Sequence, residues 1–536
     1  MKTEQLEITT EQERLDAIPE RKVRAAPTRY RNPVGKYKVW RSNACIQCGK
    51  CMQVCLYGVH IKPQGYPRFL PPRDDLCQGF KCKEIGRFCP DHCPVGALRV
   101  DLSPMYESLG DYRWTADLIL STWRMAETGQ IPDGDLEYEI GASGGGFDRI
   151  RFRFPQASGS LHENRGAGDV PQASPPASLQ HGQDAHATEV STAIDLNRRK
   201  ENDRPRIQID IPVYGGGMSF GSVSPITMLA RARACAAWNT FSCTGEGGYP
   251  ERLVPFKDHV ITQVATGLFG VREETIQRAR IVEFKYAQGA KPGLGGHLLG
   301  DKVTPAVAAM RETVTGNALF SPFPFHSVYS VEDHKKHVDW VKQMNPRALI
   351  AVKVSTPVDV DMVAVGSYYA GAHIIHLDGS YGGTGAAPDI AKKNIAMPIE
   401  YAIPRVHAFL QAEGIRDEIT LVASGGIRTA YDAAKAIALG ADGVVIGTTE
   451  LVALGCIRCG NCESGRGCAR GIATTDDKLV QKMALPWATQ RLINLFNAWH
   501  IQFVDILSRF GMKSITELRG RTDLLMHLDY DNHTEK

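Results

Sequence analysis

Most of the chain's cysteines fall into two short stretches of sequence. Of the 14 cysteines in 536 residues, eight lie in residues 45–93 and four in residues 456–468, while only Cys235 and Cys243 stand apart. The polar N-terminus lacks the apolar core of a signal peptide, which indicates a cytosolic protein whose thiols stay reduced. Clustered cysteines in such a protein are typical of metal sites rather than disulfides.

The first stretch has the spacing of an iron–sulfur protein. Its Cys-x2-Cys-x2-Cys-x3-Cys run seats three thiolates on one face of a 4Fe–4S cubane, and in two-cluster ferredoxins the fourth cysteine binds the other cluster. A second set of four cysteines lies downstream, ending in a Cys-Pro step. We therefore predict one cluster with the ligands Cys45, Cys48, Cys51 and Cys93. A second cluster is predicted to have the ligands Cys55, Cys77, Cys82 and Cys89.

Two features of this stretch depart from the two-cluster ferredoxin pattern. Leu56 stands where a proline usually comes after the first run, and the spacings between Cys77, Cys82 and Cys89 are stretched to x4 and x6. The stretching leaves the division of ligands open but still predicts two clusters. A pair of zinc knuckles is the alternative, which the tight first run disfavours. Since each cluster carries one electron, residues 41–100 are predicted to be an electron inlet.

From about residue 205 the sequence shows a regular alternation of predicted strands and helices, which would position a catalytic site. Helix-like stretches such as Val331 to Met344 alternate with short apolar runs that read as buried strands, namely residues 348–355, 372–379, 418–426 and 442–449. Strands buried on both faces and alternating with helices indicate a parallel α/β sheet. Over roughly 280 residues this pattern favours a (β/α)8 barrel, and the glycines after the strands fall where a barrel builds its active face.

Changes in composition and in residue pattern divide the chain into five segments. These are a polar lead-in at 1–40, the cysteine-rich module at 41–100, a connecting region at 101–204, the barrel at 205–484 with the second cysteine stretch inside it, and two expected C-terminal helices at 485–536. Residues 156–190 are rich in Ser, Ala, Gly, Gln and Pro and poor in large apolar side chains. Such a segment cannot bury enough surface to fold, so we predict a disordered insert.

The composition excludes several classes of function. A net charge of +3, with 43% hydrophobic and 23% charged residues, is ordinary for a globular enzyme. It gives no reason to expect nucleic acid or a membrane surface as a partner. No stretch approaches the roughly 18 apolar residues that a spanning helix needs. We therefore expect a cytoplasmic enzyme.

Seven short blocks between residues 205 and 530 resemble the FMN domain of the glutamate synthase family. They are Gly-Gly-Met-Ser-Phe-Gly-Ser at 216–222, Thr-Gly-Glu-Gly-Gly at 244–248, Gln-Val-Ala-Thr-Gly at 263–267, Phe-Lys-Tyr-Ala-Gln-Gly-Ala-Lys-Pro-Gly at 284–293, Gly-Gly-Thr-Gly at 382–385, Ser-Gly-Gly-Ile-Arg at 424–428 and Ile-Gly-Thr at 446–448. With the N-terminal cysteines, they resemble the short, archaeal-type members. The resemblance implies an α/β fold: an FMN-binding (β/α)8 TIM barrel preceded by a small α+β ferredoxin-like domain with two 4Fe–4S clusters.

The resemblance also implies which residues bind the cofactor. FMN would be held by Met218, Ser219, Thr244, Gln263, Lys285, Gly382, Gly383, Gly425, Gly426, Gly447 and Thr448. The last four would lie near its phosphate, since glycines after strands let backbone N–H groups approach an anion closely. Tight turns between strands and helices are the structural alternative for these glycines.

Four residues receive roles in the reaction from the same resemblance. Lys285 would stabilise the reduced flavin ring, and Glu246 would link the synthase site to its ammonia supply. Gln288 and Lys291 would hold the carboxylates of 2-oxoglutarate. Read without the resemblance, Glu246 is a loop acid and Lys291 a surface lysine.

The second cysteine stretch corresponds to the third cluster of the family. Members hold a 3Fe–4S cluster through three cysteines, which map to Cys456, Cys462 and Cys468. The additional Cys459 makes a four-ligand 4Fe–4S cluster possible. Either cluster would pass electrons to FMN.

The expected reaction follows from how many electrons each cofactor transfers in one step. Clusters deliver electrons singly, whereas reducing an imine needs a hydride, and FMN converts one into the other. We expect condensation of ammonia with 2-oxoglutarate and reduction to L-glutamate. The first cysteine is Cys45, a predicted cluster ligand, and we place no glutaminase nucleophile, β-helix domain or dinucleotide fingerprint. Separate glutaminase, β-helix and reductase subunits, or ferredoxin, are therefore expected partners.

Two other functions stay open at this point. A related synthase that uses an amine such as methylamine, giving N-methylglutamate, would have nearly the same barrel. A non-catalytic electron-relay subunit of a larger redox complex would hold clusters but would not bind 2-oxoglutarate. The Gln288 and Lys291 block argues against the relay subunit.

Overall fold

Eight parallel strands form a closed barrel in the computed structural model. It describes residues 16–29, 34–132, 146–155, 190–200, 204–291, 295–322, 325, 328–383, 394–463 and 467–529. The strands are β1 (Val213–Gly215), β2 (Ser242–Cys243), β3 (Val260–Ala265), β4 (Ile281–Lys285), β5 (Leu349–Ser355), β6 (Ile374–Asp378), β7 (Thr420–Ser424) and β8 (Gly443–Ile446). From β2 to β8 each strand pairs with the next along the chain, and β8 pairs with β1. Gly217 bridges Cys243 in parallel at the β1–β2 seam. The predicted (β/α)8 barrel is confirmed.

Helices cover the outside of this barrel, as the alternating pattern predicts. The α-helices between and after the strands are Pro225–Ala237, Glu273–Gln277, Pro305–Arg311, Val331–Met344, Val360–Ala370, Ile399–Ala412, Ala430–Ala438 and Thr448–Ala453, with a 3-10 segment at Glu251–His259. All seven residues of β5 are buried. A strand with side chains packed both inside the barrel and against helices reads as a continuous apolar run, which is why these strands could be predicted.

The C-terminal region differs from its prediction as two helices. One long helix, Leu485–Arg509, packs along the barrel, and the chain then makes 3-10 turns and a strand, Leu525–His527. That strand pairs with Ile150–Phe152 from the connecting region. Gly511 adopts φ 68° just after the helix. This left-handed conformation suits glycine and ends the helix, and the last residues form a strand because a distant strand pairs with them.

The cysteine-rich module is bracketed by two antiparallel strands, Tyr37–Arg41 and Leu98–Leu102. The module therefore begins inside the predicted lead-in. Between the strands lie the helices Lys50–Val54 and Lys81–Glu84, and a small core in which six cysteines pack against Tyr37, Val39, Val59, Phe88, Leu98 and Val100. The ferredoxin-like description of this module stays a prediction.

The connecting region is attached directly to the barrel. It contains the helices Pro104–Glu107 and Ala116–Thr128. Trp123 Nε1 in the second of these donates a hydrogen bond to Val452 O at 2.8 Å. The predicted disordered insert lies outside the described residues, apart from its last residue, Val190. Among the described residues, no helix is both long enough and apolar enough to cross a membrane.

Candidate active site

The carboxyl ends of the barrel strands surround a cavity of about 280 Å³. Nearly all the predicted cofactor and substrate residues line it: Met218, Ser219, Glu246, Gln263, Lys285, Gln288, Lys291, Gly382, Gly383, Gly425, Gly426, Gly447 and Thr448. Thr244 is not part of the lining. Its hydroxyl accepts a hydrogen bond from the Gln263 backbone N–H at 3.2 Å, so it supports the wall from behind. The roles of all these residues stay predictions.

The glycine loop after β7 has a backbone conformation that residues other than glycine rarely adopt. Gly425 and Gly426 adopt φ 94° and 101°, which side-chain-bearing residues rarely adopt. A Cβ at Gly425 would stand 2.5 Å from the carbonyl oxygen of Gly379. Glycine at both positions therefore lets the loop adopt this conformation on the cavity wall.

The two predicted catalytic residues form an ion pair in the cavity wall. Lys285 Nζ lies 3.2 Å from Glu246 Oε1, and the Ser321 hydroxyl donates to Glu246 Oε2 at 3.4 Å. Burial raises the pKa of Glu246, but the charges of Lys285 and Lys291 outweigh burial and leave the pKa below its ordinary value. The carboxylate is therefore charged at neutral pH, with cations beside it.

The predicted substrate loop follows β4 and is fixed to β6, which lies two strands away in the barrel. The Gly289 backbone N–H donates a hydrogen bond to Asp378 Oδ2 at 3.0 Å. Gln288 and Lys291, on either side of this contact, line the cavity, and Lys291 is only 4% exposed. The reading of Lys291 as a surface lysine is therefore wrong.

A buried polar network forms the floor of the cavity, and sequence analysis did not identify it. Asp378 accepts a hydrogen bond from the Ser424 hydroxyl at 2.6 Å and lies 3.5 Å from Lys353 Nζ. The same hydroxyl lies 2.8 Å from His376 Nε2, and His376 Nδ1 lies 3.0 Å from Glu283 Oε2. The only available signal was the presence of polar residues inside apolar strand runs.

The charges of this floor are mutually compensating. Burial raises the pKa of Asp378, but Lys353 and then His376 outweigh it, so the pKa lies below its ordinary value. Burial lowers the pKa of Lys353, but Asp378 and Glu283 outweigh it, so that pKa is raised. Both groups are therefore charged at neutral pH, and the Asp378 carboxylate can hold the substrate loop.

The N-terminal cysteines gather around two separate cavities. Cys45, Cys48, Cys51 and Cys93 line one of them. The other is lined by Cys55, Cys77, Cys82 and Cys89. These are the two predicted ligand sets, and Cys48 is the exposed member of the first set. Within the described ranges no group of three or more His, Cys, Asp or Glu side chains is arranged to hold a single metal ion.

The third cysteine group adjoins the barrel cavity. Cys462 lines that cavity, and the Lys302 ammonium donates a hydrogen bond to its carbonyl oxygen. Cys456 Sγ accepts a hydrogen bond from the Arg458 backbone N–H at 3.4 Å. Cys459 is exposed, whereas Cys456, Cys462 and Cys468 are partly buried. A cluster at this group would be next to the residues of the candidate active site.

Comparison with known proteins agrees with this arrangement. A family model described as "Conserved region in glutamate synthase" matches residues 175–513. The archaeal-type glutamate synthase [NADPH] of Thermotoga maritima is 35% identical over 494 residues, covering 90% of this chain and 92% of that protein. The archaeal glutamate synthase [NADPH] of Methanocaldococcus jannaschii is 43% identical over 333 residues, covering 62% of this chain and 65% of that protein.

Weaker matches include a larger enzyme and solved structures. The ferredoxin-dependent glutamate synthase of Cyanidium caldarium is 38% identical over 267 residues, covering 50% of this chain and 17% of that protein. A mutant flavocytochrome b2 with pyruvate bound superimposes with a TM-score of 0.40 at 14% identity, covering 73% of this chain and 79% of that one. The structural likeness is too low to bear on function. The family match and the long alignments suffice: the chain belongs to the glutamate synthase family.

Proposed function

We propose that the chain catalyses the reductive amination of 2-oxoglutarate with ammonia to L-glutamate. One observation carries the proposal. A single cavity combines a glycine loop suited to an anion with the Lys285–Glu246 ion pair and the buried Lys291. The lysines can bind a dianionic oxo acid, the Glu246 carboxylate can bind ammonium, and the glycine loop can bind a phosphate-bearing cofactor.

The residues present fit FMN. Gly425 and Gly426 provide the left-handed cradle in which backbone N–H groups can meet a phosphate, and Gly447 and Thr448 lie in the same cavity wall. Lys285 at the end of β4 would place positive charge beside the flavin ring. Bound FMN would supply the chemistry that amination needs, since it collects single electrons and delivers a hydride.

The cysteine groups would carry electrons to this site. We propose 4Fe–4S clusters on the two N-terminal ligand sets and a third cluster on Cys456, Cys462 and Cys468, with Cys459 as a possible fourth ligand. The position of Cys462 in the cavity lining supports the third cluster as the direct electron donor to the cofactor. The exposure of Cys48 supports electron entry at the first set.

The chain's own residues account for binding and proton movement. Lys291 and Gln288 would hold carboxylates of 2-oxoglutarate, with the loop kept in place by Asp378. The charged Glu246 would attract ammonium and accept its proton at a carboxylate oxygen, which frees the nitrogen lone pair. Attack on the keto carbon and loss of water then give the imine, whose reduction yields glutamate.

The same proposal implies partners. Ammonia would come from a separate glutaminase subunit, and electrons from a reductase subunit or ferredoxin, with a β-helix subunit as a further member of the assembly. These partners rest on the family resemblance. None of them is needed for the chemical step when free ammonia and a chemical reductant are supplied.

The direct test is to identify the product. The full chain, reconstituted anaerobically with iron, sulfide and FMN, is incubated with 2-oxoglutarate, a chemical reductant and ammonia, methylamine or both amines together. L-Glutamate from ammonia supports the proposal. N-methylglutamate, formed in preference to glutamate when both amines are present, identifies the amine-using alternative. If neither product forms although clusters and flavin are bound, the remaining interpretation is the non-catalytic electron-relay subunit.

A further inference from the structure

A short piece of the connecting region forms part of the barrel cavity. Arg113 and Trp114 line it, although they precede the barrel by about a hundred residues. The Gly110 N–H donates to the Ile457 carbonyl at 3.0 Å, and Asp111 Oδ2 accepts from Arg458 Nη2 at 2.8 Å. The segment is therefore held on the loop that carries the third cysteine group.

The backbone around Arg113 is fixed on the other side as well. Asp111 Oδ1 accepts hydrogen bonds from the backbone N–H groups of Arg113 and Trp114, both at 2.9 Å. Arg428 Nη1, in the loop after β7, donates to the Arg113 carbonyl at 3.1 Å. Trp114 is buried against Val452. These contacts fix the backbone of Arg113, whose side chain lines the cavity.

Three arginines meet at this end of the cavity, and two of them are neutralised by carboxylates. Arg428 pairs with Asp148 and with Asp432, and Arg458 pairs with Asp111. Arg113 has no such partner in the described part of the chain. Its guanidinium carbon stacks 3.0 Å from the centre of the Tyr381 ring, and its buried Nε lacks a hydrogen-bond acceptor.

Glu400, an acid that interacts electrostatically with Arg113, compensates its charge only in part. Glu400 is buried close to Gly146, and Arg113 and Arg428 both act on it electrostatically. Burial nevertheless raises the pKa of the Glu400 carboxyl to about 7, so a large fraction is uncharged near neutral pH. A guanidinium with an unused buried donor thus stacks on Tyr381, which itself lies beside Gly426.

We propose that Arg113 is a phosphate-binding residue for the flavin nucleotide, contributed by the connecting region to the glycine cradle after β7. This inference rests on the proposed function, because it takes FMN as the ligand. A phosphate monoester carries up to two negative charges, and a planar guanidinium can offer two parallel N–H donors to it. Stacking on Tyr381 would hold that plane in position. The segment that holds the third cysteine loop would then also hold the flavin.

Paired titrations of the full chain with FMN and with riboflavin test this inference. Flavin is removed by dialysis and returned while its fluorescence is followed. Because riboflavin has no phosphate, Arg113→Ala should weaken FMN binding about 10- to 100-fold and leave riboflavin binding unchanged. The FMN affinity of Arg113→Lys should lie between that of the unsubstituted chain and that of Arg113→Ala, since lysine keeps the charge and loses the planar pair of donors. Arg347→Ala, which removes an exposed arginine, should leave the affinities for FMN and for riboflavin unchanged.

Other results of the same titrations overturn the inference. Equal weakening of FMN and riboflavin would mean that Arg113 only supports the fold. Unchanged FMN binding in Arg113→Ala would mean that the guanidinium does not bind the phosphate, and a separate titration with 2-oxoglutarate would then show whether it binds the substrate. Both leave the proposed function intact. If the unsubstituted, folded chain binds neither FMN nor riboflavin, the flavin part of the proposed function fails, and this inference fails with it.

Discussion

Lys285 Nζ and Glu246 Oε1 lie 3.2 Å apart within the barrel cavity. Lys285 is the last residue of β4, and Glu246 lies in the loop after β2, so the pair joins two elements that are not neighbours in the barrel. Burial raises the pKa of Glu246, yet the surrounding cations bring it below its ordinary value. The site therefore holds a charged carboxylate where the proposed reaction needs ammonium to lose a proton.

Replacing this carboxylate by an amide should impair the use of ammonia. In Glu246→Gln the amide can neither attract ammonium nor accept its proton, so we expect ammonia-dependent turnover to fall on the order of 100-fold. Flavin content should be unchanged. Steady-state rates against ammonia concentration provide the measurement, with the exposed Glu413→Gln as the matched control. An unchanged dependence on ammonia would remove Glu246 from the reaction.

Shortening Lys291 should weaken binding of 2-oxoglutarate. A charge-assisted contact with a carboxylate contributes about 1.5–3 kcal/mol, so Lys291→Ala should lower the affinity roughly 10- to 100-fold. The exposed Lys257→Ala serves as control, because it removes the same charge away from the cavity. Flavin and cluster reduction should proceed normally in both variants. If the two variants have equal affinity for 2-oxoglutarate, the substrate loop is wrongly placed.

Loss of one N-terminal ligand should separate electron delivery from chemistry. Cys48→Ala should abolish turnover driven by ferredoxin or a reductase subunit, because the first cluster would no longer form. FMN should stay bound, and a small chemical reductant should still support glutamate formation. Cys235→Ala, at a buried cysteine outside both clustered stretches, is the control. Ferredoxin-driven turnover at the normal rate in Cys48→Ala would exclude this route of entry.

Glu400 should make the stability of the fold depend on pH. Burial raises the pKa of its carboxyl from 4.5 to about 7. The folded state therefore holds the proton more tightly, and the stabilising contribution is complete below pH 4.5 and is lost as pH rises through 7. The size of the effect is on the order of 3 kcal/mol.

Urea unfolding at a series of pH values between about 5 and 8 can detect this contribution. The free energy of unfolding of the unsubstituted chain should fall across this range relative to that of Glu400→Gln, which cannot titrate. Glu413→Gln should behave like the unsubstituted chain. Parallel pH profiles for the unsubstituted chain and Glu400→Gln would show that Glu400 is not the responsible group.

The barrel was predictable because its strands obey a simple physical rule. β5 is buried on both faces and therefore reads as a nearly unbroken apolar run, and β6 and β7 do the same. The glycines directly after β7 and β8, which are Gly425, Gly426 and Gly447, could be placed on the cavity wall for the same reason. The two N-terminal groups of cysteines line separate cavities in the same division as the ligand sets predicted from the two-cluster pattern, and their role as cluster ligands stays a prediction.

The parts that escaped prediction depend on contacts between distant segments. Lys353 and His376 read as polar interruptions of apolar strands until the barrel closes and brings them next to Asp378. Arg113 belongs to a segment that gives no local signal of a binding role, and only the fold shows that it reaches the cavity. The strand Leu525–His527 likewise forms because Ile150–Phe152 offers it an edge.

Reoxidation of the reduced flavin tests the central proposal most directly. The full chain is reduced anaerobically, freed of excess reductant and mixed in a stopped-flow cell with 2-oxoglutarate and ammonia. We predict that the visible absorbance of oxidised FMN returns only when both compounds are present, with glutamate formed in proportion to the flavin reoxidised. If reoxidation does not require 2-oxoglutarate, or proceeds without glutamate, the chain is not the catalytic subunit of a glutamate synthase.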